Sequence, residues 1–334
     1  MTQQWRPDIY ARRKEHLRTR LKTIKTVRKT FDDMGFLEVE TPILQRSPGN
    51  EVHLHAFKTQ LKSPHEDESA QDIYLHTSPE FAMKKLLVAG EEKIYQIAHV
   101  FRNSERSSTH HPEFSMIEWY RTGASTKDII DDCVTLLQNC ARAAGIDSFK
   151  GCDPFAEPEI ITVNAAFQKY ADIDLLATAT DPLKPEANLL REAAKEKSLR
   201  TLDDDSWDDI FFRIMGEKIE PHLGKECPTF LCDYPLSMAA LARQNESDPR
   251  TADRFELFVA GMEIANAFGE LTDADEQLRR FEADMSLKEK LHGERYPIDM
   301  DFIEALRHGM PPSAGIALGI DRLVMLCAGT DNIN

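Results

Sequence analysis

A chain of 334 residues with 41% hydrophobic and 8% aromatic side chains carries enough apolar surface for a substantial core, at a length that suits one large domain or two. Its formal charge of -16 disfavours broad, non-specific binding to nucleic acid, whose phosphates repel an acidic surface, although a local basic patch stays compatible with it. No apolar run approaches the roughly 20 residues of a membrane span, and the stretch from Met1 to Arg20 is charged rather than signal-like. The expectation is a cytoplasmic protein with no membrane partner. Cys133, Cys140, Cys152, Cys227, Cys232 and Cys327 lack Cys-x-x-Cys spacing, so reduced thiols are expected rather than a disulfide framework or a structural zinc site.

From Tyr10 to Met34 the residues Leu17, Leu21, Ile24, Val27, Phe31 and Met34 recur every three or four positions, which predicts one stripe of a long helix that Gly35 stops. Phe36 to Pro42 alternates as a strand and ends at a proline. Lys62 to Asp72 is almost wholly polar and predicts an exposed loop between two strands. Ile94 to Arg102 and Phe114 to Tyr120 read as buried strands, and Thr126 to Ala144 as a helix closed by Gly145.

From about Asp153 to Lys225, helical patterns opened by Thr162 and by Asp203 to Ser206 predict a mainly helical insertion within a single domain. Strands resume at Thr229 to Cys232 and from Arg254 to Phe268. A polar helix follows from Asp273 to His292, and Ala314 to Asp321 forms a strand that runs into a helix at Arg322. Strands and helices mix without regular βαβ alternation, which predicts an α+β fold around a mostly antiparallel sheet.

The residues with chemical potential gather in a few of these segments. Between the strands ending at Arg102 and starting at Phe114 lies a polar loop bearing cations and imidazoles, suited to phosphate. A guanidinium at a strand end, as at Arg102, can grip two phosphate oxygens while staying charged, although such a residue alone is commonly a surface ion pair. The adjacent His110 and His111 lack a third ligand at metal-binding spacing, so hydrogen bonding to a ligand is preferred for them. On the return strand Phe114, Met116, Glu118 and Tyr120 share a face by the two-residue period. A buried carboxylate such as Glu118 requires a cation or hydrogen bonds, and the ammonium can belong to the protein or to a ligand.

In Arg254 to Ile264, a turn near Val259 to Gly261 would set Glu256 and Glu263 opposite each other. Like charges so placed destabilise a hairpin unless a cation lies between them, and magnesium suits that gap; the alternative is two solvated glutamates on an edge. Asn266, Phe268 and Glu270 follow with period two, whereas Glu263 has the opposite parity, so a bulge or strand end must intervene if all four face one site. Gly315, Ala317 and Gly319 are small enough to let a ligand approach their strand.

Together these segments resemble the three signature motifs of class II aminoacyl-tRNA synthetases of the lysine-specific branch. The helix before Gly35 with the strand to Pro42 resembles the first motif. Phe101-Arg102 through His110, Pro112-Glu113-Phe114 and Glu118-Trp119-Tyr120 resembles the second, and Gly315 to Arg322 the third. Thr77-Ser78-Pro79-Glu80 and Asn266 to Leu271 fit the same pattern. Few residues precede the first motif, so a catalytic domain without an anticodon-binding domain is expected, and this resembles the elongation factor P lysyl-ligase family.

The resemblance implies ATP-dependent activation of (R)-β-lysine and its transfer to a lysine of elongation factor P, by a magnesium-dependent homodimer, with tRNA disfavoured as a partner. It also implies roles for individual residues. Arg102 would hold the α-phosphate and the substrate carboxylate, and Arg322 the nucleotide. Glu256 and Glu263 would carry magnesium. Asn103, Ser104, His110, His111, Phe114, Leu257 and Gly319 would line the ATP site. Ser78, Pro79, Glu80, Glu118, Tyr120, Glu263, Asn266, Phe268, Glu270 and Ala317 would line the amino-acid site. The family pattern has glutamate at Ser104, asparagine at His111 and, in lysyl-tRNA synthetases, glycine at Ala317. A minimal lysyl-tRNA synthetase and a catalytically silent paralogue are the alternatives.

Overall fold

The structure is a computed structural model and describes residues 5–63 and 70–333. Its first helix, α1 (Pro7–Asp33), starts three residues before Tyr10 and is followed by the short strands β1 (Leu37–Glu38) and β2 (Leu44–Gln45). The strand expected from Phe36 to Pro42 thus shrinks to two residues, which pair in parallel with Ile94 and Tyr95. The α1 stripe is also partly corrected. Thr23, Val27, Thr30 and Phe31 are its buried residues, while Leu21 is 62% exposed.

Strands β3 (Phe57–Leu61) and β4 (Gln71–Leu75) pair antiparallel, with β2 beside β4 in a small sheet. Residues 64–69 of the expected loop lie outside the described residues, and Gln71 and Asp72 belong to β4. Helix α2 (Glu80–Val88) leads to the long hairpin of β5 (Lys93–Phe101) and β6 (Glu113–Thr122). Helix α3 (Thr126–Ala144) has the expected bounds. Ser125 and Asp128 form a capping box at its start, and Gly145 ends it at φ 76°, where a side chain would be strained.

Strand β7 (Glu159–Thr162) joins the edge of the main sheet parallel to β8 (Thr229–Pro235). Between them run α4 (Val163–Ala171), α5 (Ala187–Glu196) and α6 (Trp207–Ile214), and their apolar faces form a cluster of their own around Phe167, Leu190, Trp207 and Phe211. Strands β9 (Thr251–Val259) and β10 (Met262–Gly269) form a tight hairpin. Ala260 and Gly261, at φ 55° and 75°, make its two-residue turn. Helices α7 (Ala274–His292) and α8 (Met300–Gly309), strand β11 (Ser313–Gly319) and helix α9 (Ile320–Ala328) complete the order.

The main sheet runs β1-β5-β6-β11-β10-β9-β8-β7, antiparallel except at its two edge pairs. One face carries Ile117, Trp119, Ile316, Leu318, Ala265, Ala267, Phe255 and Leu257 into the main core. Helices α1, α3 and α9 pack there, with the Phe31 and Trp119 ring centroids 4.9 Å apart. Covering that face leaves the alternate residues of β6, β11, β10 and β9 for a site.

Candidate active site

Strand register sets those alternate residues in two rows. In the first, Gln96 pairs with Glu118, Glu118 with Ala317, Ala317 with Asn266, and Asn266 with Glu256. In the second, Tyr120 pairs with Gly315, Gly315 with Phe268, and Phe268 with Arg254. The parity problem at Glu263 is resolved by a bulge. Glu263 pairs with Phe258 and Ala265 with Leu257, so Ile264 is the extra residue and Glu263 falls on the face of Glu256 and Asn266. Glu256 and Glu263 are therefore not directly opposite, as expected from the turn alone. They are offset neighbours on one face.

At one end of the first row, Glu118 is 1% exposed. Ser78 Oγ donates to its Oε1 at 2.6 Å and Tyr120 OH to its Oε2 at 2.7 Å. Desolvation, with Glu80 adding to it, pushes its pKa up to about 8. Neither hydroxyl supplies a full charge, so the carboxyl retains a strong demand for a cation. The cation nearby goes elsewhere: Lys84 Nζ lies 2.5 Å from both Glu80 Oε1 and Glu270 Oε2. Pro79 immediately precedes α2, and its neighbour Ser78 Oγ also accepts the Glu80 amide at 3.0 Å.

Lys84 was not among the expected site residues, though Glu80 and Lys84 stand four apart on α2, a spacing that favours ion pairs. The role expected of Gly315 also changes. A Cβ there would lie 2.2 Å from Tyr120 Cδ1 and 2.7 Å from Glu270 Oε1, so the glycine makes room for the tyrosine ring rather than for a ligand. A Cβ on Gly319 would meet Arg322 Cδ at 3.7 Å, an ordinary contact, so that glycine is not demanded by close packing. Ala317 is half-buried between Glu118 and Asn266.

The other end of the face is cationic. The Arg102 guanidinium lies 5.3 Å from the Phe114 ring centroid, its buried Nε has no hydrogen-bond partner, and among the described residues it makes no ion pair. Arg322 donates to the Glu263 carbonyl at 2.5 Å and to His110 Nε2 at 2.7 Å. A guanidinium only donates, so His110 Nε2 must accept, which places its proton on Nδ1 beside Ser107 Oγ at 2.8 Å. Desolvation and then Arg322 hold the His110 pKa below its ordinary value.

Asp321 anchors this end by accepting from Arg20 at 2.5 Å and from the Ser115 amide at 2.6 Å. Arg20 and Asp321 are 301 positions apart, so no local pattern pointed to the pair. Arg254 was likewise overlooked. It donates to Glu256 Oε1 at 2.6 Å and to Asn266 Oδ1 at 3.2 Å, orienting two site residues at once.

Some expected residues stand apart. Leu257 is fully buried on the opposite face of the sheet, so its side chain does not reach the site. Asn103 and Ser104 are exposed, with Ser104 at φ 65° and its amide bonded to Asn103 Oδ1 at 2.9 Å. His111 is exposed and its Nδ1 lies 2.8 Å from the Glu113 carbonyl.

A cleft of about 500 Å³ runs beside this end, lined in part by His110, Glu263 and Arg322. Desolvation and the neighbouring Glu256 push the Glu263 pKa up to about 7. Its side chain is nonetheless 43% exposed, so a hydrated ion has access to it. The described residues hold no cluster of three or more side chains able to enclose a metal. Glu256, already paired on one oxygen with Arg254, and Glu263, whose charged form burial disfavours, form a carboxylate pair that fits magnesium, an ion that completes its shell with water and phosphate oxygens.

A family profile described as "tRNA synthetases class II (D, K and N)" matches residues 8–334. A Yersinia enterocolitica protein named "Elongation factor P--(R)-beta-lysine ligase" is 38% identical over 335 residues, covering 100% of this chain and 96% of that protein. Proteins of the same name from Haemophilus influenzae and Pasteurella multocida are each 38% identical over 330 residues, covering 99% of this chain and 95% of theirs. With an antiparallel sheet that carries an acidic pocket and an arginine-bearing end on one face, the chain belongs to the class II tRNA synthetase family, in the branch of the elongation factor P--(R)-beta-lysine ligases.

Proposed function

We propose that this protein activates (R)-β-lysine with ATP and transfers it to the ε-amine of a lysine on elongation factor P. The observation that carries this reading is the pairing, on one sheet face, of a buried acidic pocket around Glu118 with the Arg102 guanidinium, which makes no ion pair among the described residues. Such a face suits a diamino acid whose carboxylate is held against a phosphate.

In the first step the substrate carboxylate oxygen attacks the α-phosphorus, the P–O bond to pyrophosphate breaks, and an aminoacyl adenylate results. In the second step the deprotonated ε-amine of the acceptor attacks the acyl carbon and AMP leaves. No protein nucleophile is needed. Catalysis is positioning and charge stabilisation, in which Arg102 grips the α-phosphate and the carboxylate while Arg322, steadied by His110, holds the nucleotide. Glu118, Tyr120, Glu80 and Glu270 receive the two ammonium groups, and Asn266, Phe268 and Ala317 form the wall between. Glu256 and Glu263 would hold magnesium, which supplies charge neutralisation for the phosphates.

We place the protein in the cytoplasm and read it as a homodimer. Leu21 and Leu37, together with Trp5 and Tyr10, are exposed large apolar side chains on or next to α1, and a second copy would cover them. Among the described residues no helix is long and apolar enough to cross a membrane.

The decisive experiment is ATP-pyrophosphate exchange with (R)-β-lysine, (S)-β-lysine and α-lysine, followed by addition of elongation factor P or tRNA. Exchange fastest with (R)-β-lysine, and a mass increase of the factor by one lysyl unit, are expected. Efficient charging of tRNA would instead identify a lysyl-tRNA synthetase, and no exchange with any isomer a silent paralogue.

A further inference from the structure

Lys84 is a lysine that is 1% exposed, in a pocket proposed to receive the ammonium groups of a lysine-like substrate. Burying an ammonium is costly unless carboxylates meet it, and here Glu80 and Glu270 both do at 2.5 Å. Its Nζ also lies 6.0 Å from the Tyr120 ring centroid. The charged and titratable groups around it are Glu80 from α2, Glu118 and Tyr120 from β6, Glu270 just beyond β10, and Arg243, which is itself paired to Asp253 at 2.7 Å. Glu51 also faces Glu80, so carboxylates outnumber Lys84 here, and burial leaves Glu118 and Glu270 short of positive charge. That shortage suits a substrate that brings ammonium groups of its own.

We infer that Lys84 is a positioning and specificity-determining residue that sets the pocket's charge for a substrate with two ammonium groups, by committing one cation to Glu80 and Glu270. This deepens the proposed function and rests on it for the identity of the substrate. Lys84 does not reach the reacting atoms. It acts by holding Glu80 and Glu270 in place and by opposing, at Glu270, the effect of burial, so that both are set to accept ammonium groups. Burial alone would lower the Lys84 pKa, but the two carboxylates outweigh it and the net shift is upward, consistent with a permanent cation. A substrate with one ammonium would leave one of these buried carboxyls without a cation, which disfavours it.

The test compares wild type with Lys84→Met in pyrophosphate exchange from pH 6 to 9. The substrates are (R)-β-lysine and 3-aminohexanoic acid, the analogue without the distal amine. At pH 7 the variant should show a KM for (R)-β-lysine raised at least ~10-fold, with kcat and the KM for ATP within about 3-fold, and the KM should recover toward wild type by pH 9. Its preference over the monoamine should fall at pH 7. A purely structural role would instead give a loss independent of pH, and that result, or an unchanged KM, would overturn the assignment.

A second measurement is independent of activity. In ligand-free protein, removing Lys84 should raise the pH range over which Tm falls by one unit or more, because Glu270 loses the cation that favours its charged form. An unmoved profile sinks the inference whatever the enzyme activates. If Lys84→Met does not fold, Lys84→Gln keeps a polar, uncharged side chain there and should show the same upward shift. Wild type that exchanges pyrophosphate with no lysine isomer would refute the proposed function alone, leaving the Tm profile to judge Lys84.

Discussion

Arg322 Nη2 stands 2.7 Å from His110 Nε2, a contact that only a neutral imidazole can accept. His110 therefore acts as a fixed acceptor that aims a permanent cation. Its pKa lies below the ordinary histidine value, so the KM for ATP should be flat above about pH 6.5 and should rise as acid protonates the ring and repels Arg322. His110→Ala should raise that KM about 10-fold, the loss expected for a hydrogen bond to a charged group worth roughly 1.5 kcal/mol. Exchange kinetics at varied ATP and pH test both statements.

Arg102 makes no ion pair among the described residues, so its replacement should cost function rather than stability. Arg102→Lys retains the charge but loses the planar fork, and a drop in kcat/KM of about 100-fold with Tm unchanged within ~2 °C is expected. Equal losses in Tm and activity would indicate a structural arginine.

Glu118, Glu263 and Glu270 all have raised pKa values, to about 8, about 7 and about 7. Each binds a proton more tightly folded than unfolded, so its stabilising contribution is complete below the unfolded carboxyl pKa and is lost as pH rises through the folded value. Ligand-free protein should accordingly lose stability between about pH 4.5 and pH 8. Glu118→Gln should flatten that slope by an amount on the order of a few kcal/mol across the window, and saturating substrate should flatten it in the wild type. Denaturation at stepped pH measures this.

Gly315→Ala should force the Tyr120 ring away, since the added carbon would fall 2.2 Å from Tyr120 Cδ1 in the middle of the sheet. A destabilisation of about 1 to 3 kcal/mol is expected from overpacking. Tyr120 should also lose its 2.7 Å bond to Glu118, raising the KM for the amino acid and leaving that for ATP unchanged. Chemical denaturation and substrate-specific KM values separate the two effects.

Ala317 sits between Glu118 and Asn266, in the wall proposed for the amino-acid pocket. Ala317→Gly should improve α-lysine relative to (R)-β-lysine by about 10-fold, within the ~1 to 3 kcal/mol that a single carbon commands. Competition between the isomers in one exchange reaction reads the ratio directly.

Local patterns were sufficient for much of this protein. The two-residue period put Phe114, Met116, Glu118 and Tyr120 on one face, and Gly145 closed the helix read from Thr126 to Ala144. These features depend on backbone geometry that neighbours in the chain impose on one another. The requirement for a bulge or strand end between Glu263 and Asn266 followed from parity alone, whereas the bulge at Ile264, and the resulting offset of Glu256 from Glu263, came from strand pairing. Tertiary packing also revealed the Arg20 to Asp321 anchor, the dual commitment of Lys84, the Tyr120 ring over Gly315, and the burial of Leu257 away from the site. Those relations join segments far apart in the chain, and their energies exist only once the sheet register has brought the partners into contact.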